Sequence, residues 1–137
     1  MVSSKPQKNF REIDLKIEIE KSLHVMMSTA RLTQVLLNLM MNAAAALDGK
    51  KDPRLAVRAK HDGENVRIEI EDNGPGVRAD VRDQIFEPFV TTKEVGQGTG
   101  LGLSVCRGLV EAAGGTIEVD ANATSGARFI VILPSSS

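Results

Sequence analysis

The sequence has no tryptophan or tyrosine, only four phenylalanines and a single cysteine. So few aromatic rings leave little surface for stacking single-stranded bases, and a net charge of −1 provides no electrostatic attraction for nucleic acid or an anionic membrane. Cys106 has no second cysteine with which to form an internal disulfide, which fits a reducing, cytoplasmic setting. No apolar run approaches membrane-spanning length, and no signal peptide is recognisable. We therefore expect no nucleic-acid partner and no direct membrane contact.

The first part of the chain has the apolar patterns of a strand followed by a long helix. Apolar and charged residues alternate strictly from Glu12 to Glu20, which predicts a strand with one buried and one exposed face. From Leu32 to Leu47 apolar residues recur every three or four positions, which predicts an amphipathic helix. Ser28 or Thr29 can cap its N-terminus, and we expect it to end near residues 48–49.

Further strands and helices follow in the second part of the chain. Two alternating runs, 55–59 and 66–70, are joined through Asp62 and Gly63, and this dipeptide indicates an antiparallel hairpin. The remaining predicted elements are a short helix at about 79–86, a helix at 103–113 that ends at two glycines, and strands at 116–120 and 127–133.

Together these elements predict an α/β fold. We expect a two-layer sandwich of a mixed, mostly antiparallel sheet with three main helices on one face. At 137 residues the chain is expected to form one domain. We assign residues 12–134 to that domain, 1–11 to an N-terminal tail that is disordered or left over from expression, and 135–137 to a C-terminal tail.

A glycine-rich stretch, GQGTGLGLS at 96–104, leads into the helix predicted from Leu103. Its glycines let the backbone approach a ligand closely, and a helix N-terminus presents unpaired N–H groups and positive dipole charge. The combination suits a phosphate group. Its spacing is neither that of a G-x-x-x-x-G-K-[ST] loop nor that of G-x-G-x-x-G. The alternative is a mobile surface loop.

Asp72 breaks the pattern of the strand that precedes it. Residues 66, 68 and 70 are apolar, and the same parity places Asp72 inward. An inward carboxylate requires hydrogen-bond donors. The exocyclic amino group of adenine would serve, and so would the amides of its own turn in an Asx-turn, so both interpretations remain open.

Asn38 and Asn42 lie one turn apart on the long helix, beside its apolar stripe and in line with Arg31. Asparagine is a poor residue for a helix interior, so a pair of amides suggests a specific use for their oxygens. Mg²⁺ takes oxygen ligands and commonly also binds substrate phosphates. The alternative is hydrogen bonding from the helix to a loop.

Two aromatic residues, Phe86 and Phe89, flank Pro88 in a chain that has few aromatics. They are candidate hydrophobic anchors for a loop. Lys93 would then be a mobile cation near the phosphates, although a solvated lysine is an equally simple interpretation.

Taken in order, these stretches resemble the ATP-binding catalytic domain of two-component sensor histidine kinases, in the GHKL superfamily that also contains DNA gyrase and the heat-shock chaperone ATPase. RLTQVLLNLMMNAAAAL is similar to the N box, DNGPGV to the first glycine box, IFEPFVTTK to the F box and GTGLGLS to the second glycine box. The resemblance covers roughly residues 12–134 and implies a Bergerat-type fold that binds ATP and Mg²⁺.

The resemblance also implies roles for individual residues. Asp72 would bind the adenine amino group, Asn42 would bind Mg²⁺ with Asn38 assisting, and Asn38, Asn42 and Lys93 would be the catalytic residues. The residues expected to contact ATP are Asn42, Asp72, Gly74, Gly76, Val77, Phe89, Thr92, Lys93, Gly98, Thr99, Gly100, Leu101, Gly102 and Leu103.

Three departures from the family pattern affect the expected chemistry. Ala45 stands where many members have a basic residue, which makes Lys93 the candidate cation for the phosphates. Ala127 replaces a threonine whose hydroxyl could serve the adenine through water. Asn38 stands where the ATP-hydrolysing members have a glutamate that activates water, so phosphoryl transfer is favoured over hydrolysis.

The phosphoryl acceptor is expected on another domain. His24 and His61 both lack the H-E-x-x-x-P context of the family's acceptor histidine, which lies on a helical dimerisation domain. We therefore expect an isolated, monomeric, cytoplasmic kinase domain that needs this histidine in trans, with a response regulator downstream and a parent protein that is soluble or membrane-bound. The alternatives are a degenerate nucleotide- or partner-binding module and, with a poorer fit, an anti-sigma serine kinase.

Overall fold

The computed structural model describes residues 13–74, 100–120 and 126–136. Two helices lie in these ranges, while the helix predicted at about 79–86 lies outside them. Neither of the two is long and apolar enough to cross a membrane. The elements in chain order are β1 (Asp14–Ile19), α1 (Thr29–Ala46), β2 (Arg54–Asp62), β3 (Asn65–Asp72), α2 (Gly100–Ala112), β4 (Thr116–Asp120) and β5 (Arg128–Pro134).

All five strands belong to one sheet, in the order β1-β2-β3-β5-β4. The β1–β2 pair is parallel and the other three pairs are antiparallel, which confirms the mixed, mostly antiparallel sheet. The β2–β3 hairpin is also confirmed. Asp62 pairs with Asn65, and Gly63 in the turn between them has a φ of +65°. His61 was expected in this turn but lies in β2 opposite Val66, because the turn is only two residues long.

The core lies between one face of the sheet and the two helices. The alternate residues of β3 point to this face, and the central stripe of α1 is fully covered. Burial of apolar surface on this scale is the main stabilising term for a domain of this size. Its most deeply buried side chains include Val35, Leu39, Leu55, Ile70, Cys106, Val110, Phe129, Val131 and Leu133.

The helix ends follow the capping residues of the sequence. Ser28 caps α1, and its Oγ accepts a hydrogen bond from the Arg31 N–H at 3.3 Å. At the end of α2, the Gly115 N–H donates to the Val110 carbonyl at 2.9 Å and the Gly114 N–H donates to the Glu111 carbonyl at 3.0 Å. These two bonds form a Schellman motif, so the predicted glycine stop of this helix is confirmed.

Strand β1 exists as predicted, but of its expected apolar face only Ile13, directly before the strand, is buried, and the expected burial of Leu15, Ile17 and Ile19 is wrong. Ile17 and Ile19 keep 56% and 59% of their surface exposed. The strand lies at the edge of the sheet and pairs only with β2, and the main packing partners of α1 are α2 and β3. Strand alternation determines which side chains share a face, whereas the position of the helix layer determines which of them are covered.

The opposite face of the sheet carries a network of charged side chains. Arg58 on β2 pairs with Glu69 and Glu71 on β3, and Arg128 on β5 pairs with Glu71 and with Asp120 on β4. Burial raises the pKa of Glu69, but hydrogen bonds and charge attraction from Arg67 and Arg58 prevail and hold the pKa below its ordinary value. The network keeps this face polar and links four adjacent strands.

Two neighbouring leucines on α1 test the position of the core. Leu39 is 0% exposed and Leu37 is 49% exposed. We expect Leu39→Ala to lower the free energy of unfolding by about 2–5 kcal/mol through lost burial and a cavity. Leu37→Ala should change it by only about 0.5 kcal/mol or less. Chemical denaturation measures both, and equal losses would contradict this placement of α1.

Candidate functional site

Asp72 is the last residue of β3 and lies on the inner face of the sheet, as its parity predicts. It is 4% exposed and follows the buried Val66, Ile68 and Ile70. A buried carboxylate is costly unless donors surround it. Its hydrogen bonds therefore decide how this end of the sheet is built.

Backbone amides from two segments meet the Asp72 carboxylate. Oδ1 accepts a hydrogen bond from the Gly74 N–H at 2.8 Å and a longer one from the Ala127 N–H at 3.4 Å. The Gly74 contact forms the Asx-turn that was one of the two interpretations of this residue. It does not exclude the other, because an ionised carboxylate accepts up to about four hydrogen bonds.

The end of α1 lies directly beside this carboxylate. A Cβ on Gly74 would stand 3.0 Å from the Ala46 carbonyl oxygen and 3.0 Å from Asp72 Oδ1. Ala46 is the last residue of α1, and Asn42 lies one turn before it on the same side of the helix. The carboxylate therefore lies beside the C-terminal end of α1, one helical turn beyond Asn42.

Asn38 faces the second helix. Cys106 on α2 is completely buried, and its Sγ donates to the Val35 carbonyl oxygen of α1 at 3.7 Å. Burial raises the pKa of the Cys106 thiol, and a side-chain hydrogen bond with Asn38 partly opposes that rise. Asn38 therefore makes a helix-to-helix contact, whereas the alternative interpretation expected a contact with a loop. Asn42 is half-buried on the same flank.

Helix α2 begins earlier than the sequence predicted. Gly100 and Gly102 were expected in a loop before a helix starting at Leu103, but α2 starts at Gly100. Packing of this helix against α1 and β4 outweighs the low helix propensity of glycine. Its first turn therefore contains Gly100, Leu101 and Gly102, at the positive end of the helix dipole. The side chain of Leu103, which was expected to contact ATP, packs in the core.

Several of the predicted site residues lie outside the described part of the chain. The structure gives no placement for Gly76, Val77, Phe89, Thr92, Lys93, Gly98 and Thr99.

The backbone at 126–127 also contributes to this site, which the motifs did not predict. The motifs pointed only to the hydroxyl that Ala127 lacks, whereas the Ala127 N–H approaches Oδ1 and its carbonyl accepts from the Asp72 N–H at 2.9 Å. A signal was available, because strand pairing of 66–71 with the last strand places residue 127 opposite Asp72. Recognising it required the register of two strands that are distant in sequence.

Comparison with known proteins identifies the family. The profile of the Histidine kinase-, DNA gyrase B-, and HSP90-like ATPase family matches residues 27–137, which include every described element except β1. The chain belongs to this family. The resemblance seen in the four sequence motifs is thereby confirmed.

Similar proteins are sensor kinases. Sensor histidine kinase ZraS of Escherichia coli O157:H7 is 42% identical over 127 residues, covering 92% of this chain but only 27% of ZraS. The catalytic domain of histidine kinase ThkA superposes with a TM-score of 0.79 at 34% identity, over 90% of this chain and 79% of that one. The α/β sandwich is thus that of the histidine kinase catalytic domain.

Two solved structures contain further components. Full-length ShkA in complex with AMPPNP has a TM-score of 0.77 and 32% identity, over 91% of this chain and 26% of ShkA. ThkA in complex with the response regulator TrrA has a TM-score of 0.73 and 30% identity, over 90% of this chain and 34% of that one. This chain is therefore an ATPase-family domain of the kind found in two-component sensor kinases.

Proposed function

We propose that this domain binds Mg-ATP and transfers the γ-phosphoryl group to a histidine on a separate dimerisation domain. The observation that supports the proposal is that Asp72 lies beside the C-terminal end of α1, one helical turn beyond Asn42. Helix α2 runs antiparallel to α1, because Cys106 contacts Val35 and Leu109 lies beside Ser28, so its N-terminus points towards the same end. A carboxylate, an amide and a helix N-terminus are complementary to adenine, Mg²⁺ and phosphate respectively.

Each part of ATP has a candidate partner in this arrangement. Asp72 would accept a hydrogen bond from the adenine amino group, with Gly74 and Gly76 in the turn beneath the ring. The first-turn N–H groups of Gly100, Leu101 and Gly102 would donate to phosphate oxygens, and the positive end of the α2 dipole would favour their charge. The structure of ShkA in complex with AMPPNP supports the binding of a nucleotide by this domain.

The residues present also fit Mg²⁺. Asn38 and Asn42 are half-buried and carry amide oxygens, the hard ligands that this cation prefers. Mg²⁺ bound there would neutralise phosphate charge and leave transfer to depend on orientation. Within the pair, Asn42 is the main candidate ligand and Asn38 the assisting residue.

Transfer is better supported than hydrolysis because position 38 offers no base. An asparagine amide does not take a proton from water at neutral pH, whereas transfer to an imidazole needs mainly positioning and charge neutralisation. Ala45 supplies no positive charge either, so Lys93 remains the candidate cation. In this proposal Lys93 contacts the phosphates and is not a ligand of Mg²⁺.

The two histidines of the chain lie at the wrong end to accept the phosphoryl group. Leu55 pairs with Asp72, and His61 is six residues further along β2, which corresponds to ~20 Å at the rise of a strand. The His24 carbonyl accepts a hydrogen bond from the Ser136 N–H, which places His24 just past the end of β5. That end of β5 pairs with Asn65, so it lies near the β2–β3 hairpin. The acceptor histidine is therefore supplied in trans.

The wider assignment follows from the relatives. A response regulator would receive the phosphoryl group next, since ThkA forms a complex with one. We assign residues 12–134 to the kinase domain and propose that it is monomeric on its own and acts in the cytoplasm, whether its parent is membrane-bound or not.

Substitution of Asp72 tests the adenine assignment. We expect Asp72→Asn to weaken ATP binding by about 1.5–3 kcal/mol, about ten- to a hundredfold, through loss of a hydrogen bond to a charged acceptor. Asp62→Asn, at the exposed hairpin, serves as the control and should bind as the wild type does. Calorimetry measures both affinities, and unchanged binding by Asp72→Asn would remove this residue from the site.

Substitution of Asn42 tests the metal assignment. We expect Asn42→Ala to bind ATP with little or no dependence on Mg²⁺, because the amide ligand is gone. Gln34→Ala on an exposed position of the same helix provides an amide-loss control. ATP titrations with and without Mg²⁺ give the comparison. An equal strengthening by Mg²⁺ in Asn42→Ala and wild type would show that the metal role is wrong.

The transfer reaction is tested by reconstitution. The domain is mixed with a histidine-bearing dimerisation domain and ATP labelled in the γ-phosphate. We expect acid-labile label on the partner and none when its histidine is changed to glutamine. ATP binding without any transfer would favour the degenerate binding module.

A further inference from the structure

The backbone of Gly126, just before β5, approaches Asp72 more closely than any side chain would allow. Gly126 has a φ of +73°, and a Cβ at this position would lie 1.9 Å from the Asp72 carbonyl oxygen and 2.8 Å from Oδ1. Real Cβ atoms do not come this close to backbone oxygens. A side chain at 126 would therefore push this backbone away from the end of β3.

The contacts that such a shift would break are those that hold the carboxylate. The Asp72 N–H donates to the Ala127 carbonyl at 2.9 Å, and the Ala127 N–H approaches Oδ1 at 3.4 Å. Ala127 follows Gly126 directly, so the two residues move together. On the other side, the Gly74 N–H fixes the same oxygen at 2.8 Å.

We propose that Gly126 is a positioning residue for purine recognition, whose bare backbone lets the Ala127 and Gly74 amides hold Oδ1 of Asp72 in one orientation. This inference rests on the proposed function, in which Asp72 accepts from the adenine amino group. With Oδ1 held by backbone amides, the carboxylate presents a fixed acceptor to the base. A fixed acceptor pairs with the amino group at position 6 of adenine and repels the carbonyl of guanine at that position.

The chain supplies a matched control for this glycine. Gly63 in the β2–β3 turn has a φ of +65°, and no atom lies within 4 Å of the place where its Cβ would stand. In Gly63→Ala the alanine must adopt a left-handed conformation, which strains the backbone, but its Cβ does not collide with another residue. Comparing Gly126→Ala with Gly63→Ala separates the loss of contact with Asp72 from the general cost of this conformation.

The experiment measures ATP and GTP affinities of the whole chain by calorimetry, after thermal melts establish that each variant is folded. We expect Gly126→Ala to lose at least tenfold in ATP affinity and to lose its preference for ATP over GTP. Gly63→Ala should keep both. Affinity for inorganic triphosphate should be the same in all variants, because this probe does not contact Asp72.

A double mutant tests whether Gly126 acts through the carboxylate. In an Asp72→Asn background, we expect Gly126→Ala to weaken ATP binding by less than twofold, whereas independent residues would show their full separate effects. Full additivity, or a Gly126→Ala variant that retains wild-type affinity and ATP preference, would overturn the proposal. A wild-type chain that binds no ATP would instead refute the proposed function itself.

A second variant covers the case in which Gly126→Ala does not fold. Asp72→Glu keeps the charge but moves the carboxylate by one methylene, so it cannot be held by the same two amides. We expect it to lose ATP affinity as Asp72→Asn does. Wild-type affinity in Asp72→Glu would show that a fixed orientation is unnecessary and would overturn the proposal.

Discussion

The buried carboxylate of Asp72 is the constraint on which this end of the molecule depends. A charge taken out of water costs several kcal/mol unless hydrogen bonds replace the lost hydration. Here the replacement comes from the Gly74 and Ala127 amides, so the turn after β3 and the start of β5 must both reach the same oxygen. That requirement explains why Gly126 has no room for a side chain and why Gly74 lies against the last turn of α1.

The sequence was sufficient to predict features that depend on local chemistry. Strand parity placed Asp72 inward, the pair Ser28 and Thr29 marked the start of α1, and the Asp62–Gly63 dipeptide marked the hairpin. Features that depend on how the helices and strands pack against one another could not be predicted from the sequence. The apolar side chains of β1 are exposed because of where α1 lies, and α2 begins at Gly100 because tertiary packing outweighs propensity.

The sandwich separates two ends with different chemistry. At one end, β3 finishes in Asp72 beside the C-terminal turn of α1. At the other, the β2–β3 hairpin and the segment around His24 carry the only histidines of the sequence. Because a strand holds its residues at a fixed rise, no local adjustment brings His61 to Asp72. The separation is built into the sheet register, and it supports the proposal that the acceptor histidine lies on another domain.

The identity of residue 38 is coupled to the packing of the two helices. Asn38 contacts the fully buried thiol of Cys106, which also donates to the Val35 carbonyl. A glutamate at this position would place a negative charge beside a desolvated sulfur and a carbonyl oxygen. An amide satisfies the same contact without charge. The α1–α2 interface therefore favours a neutral residue at position 38, which agrees with the proposal that this domain transfers the phosphoryl group and does not hydrolyse ATP.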